Sequence, residues 1–164
     1  MKNEPSFRLT ILDWSKVSRS KGNVYYTWET LWPLLKQAYP SAVAYSLRET
    51  DIESYDWTQQ VITLTPKASE TLLDTFACSN TARINPYFCL EKYRFVVVLN
   101  ALPIYGGEFT EIGSAAVMMY PEIHSSVVNG KVVFTIIGKP TSLLDVIEDE
   151  RIKTIFSRLG KLIE

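Results

Sequence analysis

The strongest constraint on the fold is a strand-sized apolar run, Tyr93 to Leu99, in the second half of the chain. Its stretch Phe95-Val96-Val97-Val98-Leu99 has no polar face, so a strand here must be covered on both sides and lie centrally in a sheet. Asn100 to Pro103 then predicts a turn. A returning strand begins at Ile104, and Gly106-Gly107 predicts a bulge or a sharp bend in it.

A second signal fixes the register of a hairpin further along the chain. Asn129-Gly130 lies between apolar runs, which is the composition that a two-residue type I′ turn requires. The predicted pairs on the mostly apolar face are Val127 with Val132, Ser125 with Phe134 and Ile123 with Ile136. Val128, Ser126 and His124 oppose Lys131, Val133 and Thr135 on a more polar face. An antiparallel sheet is therefore expected from about Tyr93 to Ile137.

Hydrophobic periodicity predicts the remaining elements. Further strands are expected at Phe7 to Trp14, Ala42 to Leu47, Trp57 to Leu64 and Ser114 to Tyr120, with a charged loop from Arg48 to Asp56. A first helix is predicted from an N-cap at Thr30 to Pro40, because Pro33 then falls in its first turn, and a second from Thr65-Pro66 to about Ala77. A C-terminal helix is predicted after a capping box of Ser142 and Asp145, with an apolar stripe and a glycine cap: Ile152, Ile155, Phe156, Leu159, Gly160.

These elements define the fold class. The chain has 164 residues, without a repeat or a long linker, so a single domain over residues 1–164 is the simplest partition. We predict an α+β domain, in which a twisted, mainly antiparallel β-sheet is packed by about three α-helices, including the C-terminal one.

Charge and cysteine content narrow the partners and the compartment. The formal net charge is −1, whereas nucleic-acid binders present a basic surface, so no nucleic-acid partner is expected. No apolar run reaches the length of a membrane span. Cys78 and Cys89 are too few for a disulfide scaffold, and their spacing matches no zinc pattern. We expect a soluble, cytoplasmic protein with reduced thiols, although a secreted domain expressed without its leader would look the same.

The single histidine limits enzymatic hypotheses. A Ser-His-Asp or Cys-His arrangement would have to use His124, which the hairpin register places in a regular strand. No residues have the spacing of metal ligands, and Gly106-Gly107 lacks the lysine and helix start of a phosphate loop. The sequence therefore indicates no catalytic residue, no metal and no cofactor, and it favours a protein that is not an enzyme.

Two groups of residues are candidates for a binding surface. Glu49, Asp51, Glu53 and Asp56 crowd one segment, which lacks the glycine and the terminal glutamate of a calcium loop. The segment is a solvated acidic loop, a surface for a basic partner, or a source of paired carboxylates across a groove, and the partner surface is the functional version we favour. The other group is aromatic and lies around the first helix: Tyr25, Tyr26, Trp28 and Trp32. Such residues are enriched in protein interfaces, although they also cover the edges of small cores.

Three classes of function fit these features. The first is a non-enzymatic protein-binding module, such as a small inhibitor or a bacterial immunity-type protein, an analogy that rests on size and charge alone. It would bind another protein, a basic one in the version we favour, through its acidic and aromatic surface. The second is a small-ligand-binding or carboxylate-dependent enzymatic domain. The third is a structural or assembly subunit, which would expose an apolar patch.

Overall fold

The structure is a computed structural model, and it describes residues 5–17, 27–111, 119–138 and 143–164. The strands are β1 Phe7–Asp13, β2 Val43–Arg48, β3 Ile52–Asp56, β4 Val61–Leu64, β5 Tyr93–Leu99, β6 Leu102–Thr110, β7 Glu122–Val128, β8 Lys131–Ile137 and β9 Leu162–Ile163. The helices are α1 Trp28–Ala38, α2 Pro66–Thr75, α3 Tyr87–Leu90, α4 Leu144–Ile147 and α5 Glu150–Arg158. The predicted mixed α+β class and its C-terminal helix are confirmed.

All nine described strands join one sheet in the order β2-β1-β5-β6-β7-β8-β4-β3-β9. Most neighbours are antiparallel, as predicted, but β6 pairs with β7 and β3 with β9 in parallel. β5 lies between β1 and β6, and residues 95–99 are buried on both faces. The β7–β8 hairpin has the predicted register, in which Val127 faces Val132 and Ile123 faces Ile136.

The two faces of the sheet carry different cores. One face holds the larger core, to which β1, β5 and β8 contribute alternate residues and on which α2, α4 and α5 pack. α1 covers part of the other face, where Leu31 and Leu35 pack against Val96 and Val98. The alternation of Val96 and Val98 with Phe95 and Val97 explains why β5 has no polar face.

The predicted bulge at Gly106-Gly107 is wrong in position. β6 is continuous over both glycines, and the irregularity lies at Ile104, because Val97 pairs with Tyr105 and Val98 with Pro103. The glycines serve close packing instead: a Cβ at Gly107 would lie 1.7 Å from the carbonyl oxygen of Pro121. The preceding turn is also tighter than predicted, since only Asn100 and Ala101, both at positive φ, connect β5 to β6.

The charged loop predicted from Arg48 to Asp56 is wrong. Residues 49–51 form a short 3-10 helix and Ile52–Asp56 forms β3, which pairs with β4. The predicted strand Trp57 to Leu64 is correspondingly shorter, because residues 57–60 form the turn between β3 and β4 and only Val61–Leu64 is strand. Buried Ile52 and Tyr55 anchor β3 in the larger core, so tertiary packing overrides the polar local sequence.

The first helix begins earlier than predicted. Its N-cap is Thr27 and not Thr30, and Thr30 Oγ1 accepts a hydrogen bond of 2.8 Å from the Thr27 backbone N–H. Pro33 therefore lies inside the helix, and α1 ends before Pro40 as expected. The second helix has the predicted cap, since Thr65 Oγ1 accepts from the Ala68 N–H at 3.1 Å.

The C-terminal helix is divided. α4 is one short turn, and α5 starts at the N-cap Asp149 and ends before Gly160, whose φ of 69° confirms the predicted left-handed cap. Ile152, Ile155 and Phe156 are buried as predicted, whereas Leu159 is exposed. The predicted Ser142 cap and most of the predicted strand Ser114 to Tyr120 lie outside the described residues.

A disulfide joins Cys78, after α2, to Cys89 in α3. The expectation of reduced thiols is therefore not met in this structure. Among the described residues no helix is long and apolar enough to cross a membrane.

Candidate functional site

The acidic segment, residues 49–56, does not form one free patch of carboxylates. Glu49 Oε1 accepts a hydrogen bond of 2.6 Å from the Phe7 N–H, and the Glu49 carbonyl oxygen accepts one of 2.6 Å from Lys161 Nζ. Asp51 Oδ2 accepts from the Arg48 N–H at 2.9 Å. These two carboxylates therefore hold β1 and the 3-10 helix in place.

The two later carboxylates of this segment also have intramolecular partners. Glu53 forms an exposed ion pair of 2.8 Å with Lys131 of β8. Asp56 Oδ1 accepts a hydrogen bond of 3.0 Å from the Gln59 N–H in the β3–β4 turn. All four carboxylates of the segment thus have a partner within the chain, which gives each of them a structural role.

The predicted aromatic residue Trp28 lies in an open groove of about 570 Å³, here called the tryptophan groove. Trp28 and Trp32 stack along α1 with ring centroids 5.1 Å apart and planes at 13°. The groove residues are Trp28, Trp32, Lys36, Leu102, Pro103, Ile104, Asp145, Val146, Asp149 and Arg151. Helical spacing explains the α1 wall, because residues four apart lie on one face of a helix.

Four charges line the tryptophan groove. Lys36 Nζ lies 5.5 Å from the centroid of the Trp32 ring, a cation–π distance. Arg151 binds Asp149 with two hydrogen bonds, of 3.0 and 2.7 Å, and this contact lowers the pKa of Asp149 below its usual value. Asp145 is exposed and forms no ion pair with any residue that the structure describes.

A second polar arrangement lies on the sheet face that α1 shares, and we call it the polar network. Arg94 of β5 pairs with Glu108 of β6 at 2.7 Å, and its guanidinium carbon lies 5.3 Å from the ring centroid of Trp14. Glu108 also accepts a hydrogen bond of 2.6 Å from the Tyr120 hydroxyl. Burial and the nearby Glu108 raise the pKa of Tyr120, so that this hydroxyl stays protonated at neutral pH.

Glu122 extends the polar network into β7, because it stands opposite Glu108 in the parallel register. Its carboxylate accepts a hydrogen bond of 2.9 Å from Thr110 and lies 3.3 Å from His124 Nε2. Two half-buried carboxylates with different neighbours can in principle take separate acid and base roles. No group of three or more His, Cys, Asp or Glu side chains suited to hold a metal occurs among the described residues.

The sequence predicted only the α1 wall of the tryptophan groove and no part of the polar network. Of the four aromatic residues singled out from the sequence, Trp28 and Trp32 line the groove, whereas Tyr25 and Tyr26 lie outside the described residues. The groove joins α1, the start of β6 and the α4–α5 region, which are far apart in the chain, so no local pattern indicates it. For the polar network a signal existed: Glu108, Glu122 and His124 are charged or titratable groups in segments that otherwise read as half-buried strands.

No protein-family model, curated protein or solved structure matches the chain.

Proposed function

We propose that the protein is a non-enzymatic module that binds another protein through the tryptophan groove. The observation that supports this most directly is the stacked, half-buried pair of Trp28 and Trp32 beside Leu102, whose exposed fraction is 59%. Tryptophan is one of the side chains enriched among the interface residues that contribute most of the binding energy. An open groove with aromatic walls accepts a protruding apolar side chain of a partner.

The charges of the groove indicate what should flank that side chain. Asp149 is already neutralised by Arg151, and Lys36 contacts Trp32. Asp145 is the one lining carboxylate without an ion pair among the described residues. A partner with a basic side chain next to its apolar anchor would satisfy Asp145, which agrees with the basic partner expected from the sequence.

The test compares two exposed apolar residues. The purified protein is used to capture its partner from the native host, the partner is identified by mass spectrometry, and binding of the two pure proteins is measured. Leu102→Asp should weaken binding at least about tenfold. Val128→Asp is the matched control, because Val128 has an exposed fraction of 52% and does not line the groove. Equal affinities of wild type and Leu102→Asp would refute the groove.

A ligand-binding or enzymatic domain is the second candidate, and the polar network favours it. Glu108 and Glu122 are adjacent half-buried carboxylates with separate partners, an arrangement that active sites use to separate acid from base. Mass spectrometry of the native protein tests this function. A bound small molecule that is absent from Glu122→Gln would favour the network, and a protein partner sensitive to Leu102→Asp would favour the groove.

We also propose that the protein works in an oxidising compartment. Disulfides persist in oxidising environments and are rare in the cytosol, so the Cys78–Cys89 bond weighs against the predicted cytoplasmic location and supports an oxidising one. Alkylation of free thiols in freshly lysed native cells distinguishes the two. Complete labelling of both cysteines would restore the cytoplasmic prediction.

A further inference from the structure

A second cavity lies where the end of α5 meets the start of β1 and the 3-10 helix of residues 49–51, and we call it the α5 pocket. Its volume is about 340 Å³, within the range of about 300–1,000 Å³ that is usual for small-molecule sites. Pro5, Ile155 and Leu159 supply its apolar walls. Leu159 keeps an exposed fraction of 46%, which leaves apolar surface in the pocket for a ligand to cover.

Two opposite charges line the α5 pocket without neutralising each other. Arg158, at the end of α5, forms no hydrogen bond or ion pair with any residue that the structure describes. Glu49 is held in place, because its Oε1 accepts the hydrogen bond from the Phe7 N–H at 2.6 Å. Its second oxygen, Oε2, has no partner among the described residues and can accept a further hydrogen bond.

The charged residues next to these two also balance. Lys161 donates its hydrogen bond to the Glu49 carbonyl oxygen, and Asp51 belongs to the same 3-10 helix as Glu49. Arg48 points to the other face of the sheet, because Leu47 before it points into the larger core. A pocket without excess charge favours a ligand that carries both charges over a simple anion or cation, since each charge then meets an opposite one.

We propose that the α5 pocket binds a free α-amino acid with an aliphatic side chain. The ligand carboxylate accepts charge-assisted hydrogen bonds from Arg158, the ammonium donates to Glu49 Oε2, and the side chain covers Leu159. A free amino acid carries both charged groups on one carbon atom, whereas each end of a peptide carries only one of them. The proposal goes beyond the proposed function, because the α5 pocket and the tryptophan groove share no lining residue.

Titration of the isotope-labelled protein with L-leucine at neutral pH tests the proposal by NMR. We expect saturable shifts of the amide signals of Thr50 and Leu159, which line the pocket, with a Kd below about 1 mM. Glycine should bind at least about tenfold more weakly, because it has no side chain to cover Leu159. N-acetyl-L-leucine lacks the ammonium and L-leucinamide lacks the carboxylate, so each should also bind at least about tenfold more weakly.

A pair of arginine variants tests the role of the unpaired cation. Arg158→Gln should weaken the binding of L-leucine at least about tenfold, because it removes the partner of the carboxylate. Arg8→Gln is the matched control: Arg8 is exposed, has no ion pair among the described residues and does not line the pocket. Its affinity for L-leucine should equal that of the wild type, and so should the affinity of Leu102→Asp.

Several outcomes would overturn the proposal. One is the absence of saturable shifts at about 10 mM L-leucine, and another is an unchanged affinity in Arg158→Gln. Equal affinities for L-leucine and N-acetyl-L-leucine would show a site for carboxylates, and equal affinities for L-leucine and L-leucinamide would show a site for amines. A protein partner that is lost in Leu102→Asp, together with no binding of L-leucine, would refute the α5 pocket and leave the proposed function standing.

Discussion

The acidic segment and the loop that the Cys78–Cys89 disulfide closes, residues 78–89 and here called the closed loop, differ in how many of their side chains have partners within the chain. The acidic segment has four carboxylates, and each accepts a hydrogen bond or forms an ion pair within the chain. The closed loop has two large apolar side chains, Ile84 and Phe88, that are mostly or half exposed to solvent. The acidic segment, which the sequence singled out as a candidate binding surface, therefore uses its carboxylates for contacts within the fold. The closed loop, which the sequence did not single out, exposes apolar side chains to solvent.

This difference indicates how to rank candidate surfaces in a chain that matches no known protein. A charge on the surface costs little and often has a structural partner. A large apolar side chain left in water forgoes the free energy of burial, about 1.5–3 kcal/mol when burial is complete. Uncovered apolar residues on a rigid support are thus better evidence for binding than a count of carboxylates.

The largest expected effect concerns the covalent support of the closed loop. Cys78→Ser with Cys89→Ser should lower the free energy of unfolding by about 3 kcal/mol, because a crosslink over eleven positions restricts the unfolded chain. Urea denaturation at neutral pH measures this. Reductant should destabilise the wild type by a similar amount and leave the double variant unchanged. Equal urea midpoints for both proteins without reductant would mean that the closed loop is held without its disulfide.

The next largest effect on stability distinguishes two carboxylates of the acidic segment, one with a buried partner and one with an exposed partner. Glu49→Ala should cost about 2 kcal/mol, because it removes a charge-assisted hydrogen bond to the N–H of fully buried Phe7. Glu53→Ala should cost less than about 1 kcal/mol, since its ion pair with Lys131 is exposed. Thermal and urea unfolding of both variants measure the difference.

The same pair of variants tests the role that the sequence indicated. If Glu53→Ala weakened partner binding more than Leu102→Asp did, the acidic segment and not the tryptophan groove would be the interface. If Glu49→Ala left the free energy of unfolding unchanged, the hydrogen bond between Glu49 and Phe7 would not stabilise the fold.

Sequence reasoning succeeded where the determinants are local. Asn129-Gly130 fixes its own turn and hence the register of β7 and β8, and Thr65-Pro66 marks the start of α2. It failed where the partner is distant in the chain: Glu49 binds Phe7 across 42 positions, and Glu53 binds Lys131 across 78. A carboxylate carries no signal of the residue that will neutralise it, so its engagement appears only in the fold.

A smaller effect on stability is expected for Asp149, a carboxylate of the tryptophan groove. The hydrogen bonds from Arg151 lower the pKa of Asp149 below 3.8. The ionised carboxylate therefore stabilises the folded state at every pH above the pKa that Asp149 has in the unfolded chain. This stability should be lost as the pH falls from about 4 through the lower folded pKa. Asp149→Asn should therefore be destabilised at pH 7 by less than about 1 kcal/mol, because Arg151 is largely exposed, and its stability should approach that of the wild type as the pH falls below the folded pKa. Urea unfolding over a series of pH values measures this difference, and a difference that did not shrink as the pH fell would arise from the helix cap and not from the charge.

The smallest effect on stability is expected at Ile84, the most exposed large apolar side chain of the described residues. Ile84→Asp should change the free energy of unfolding by no more than about 0.5 kcal/mol, because the side chain has an exposed fraction of 76% and loses little packing. Thermal unfolding with Val128→Asp as a reference measures this change. A loss above about 2 kcal/mol would show that Ile84 supports the closed loop itself, and its exposure would then no longer be evidence of a binding surface. If Ile84→Asp kept the melting temperature but weakened binding, the side chain would contribute to binding and not to folding. Substituting a carboxylate of the acidic segment removes an intramolecular contact as well, so it cannot separate the two contributions in the same way.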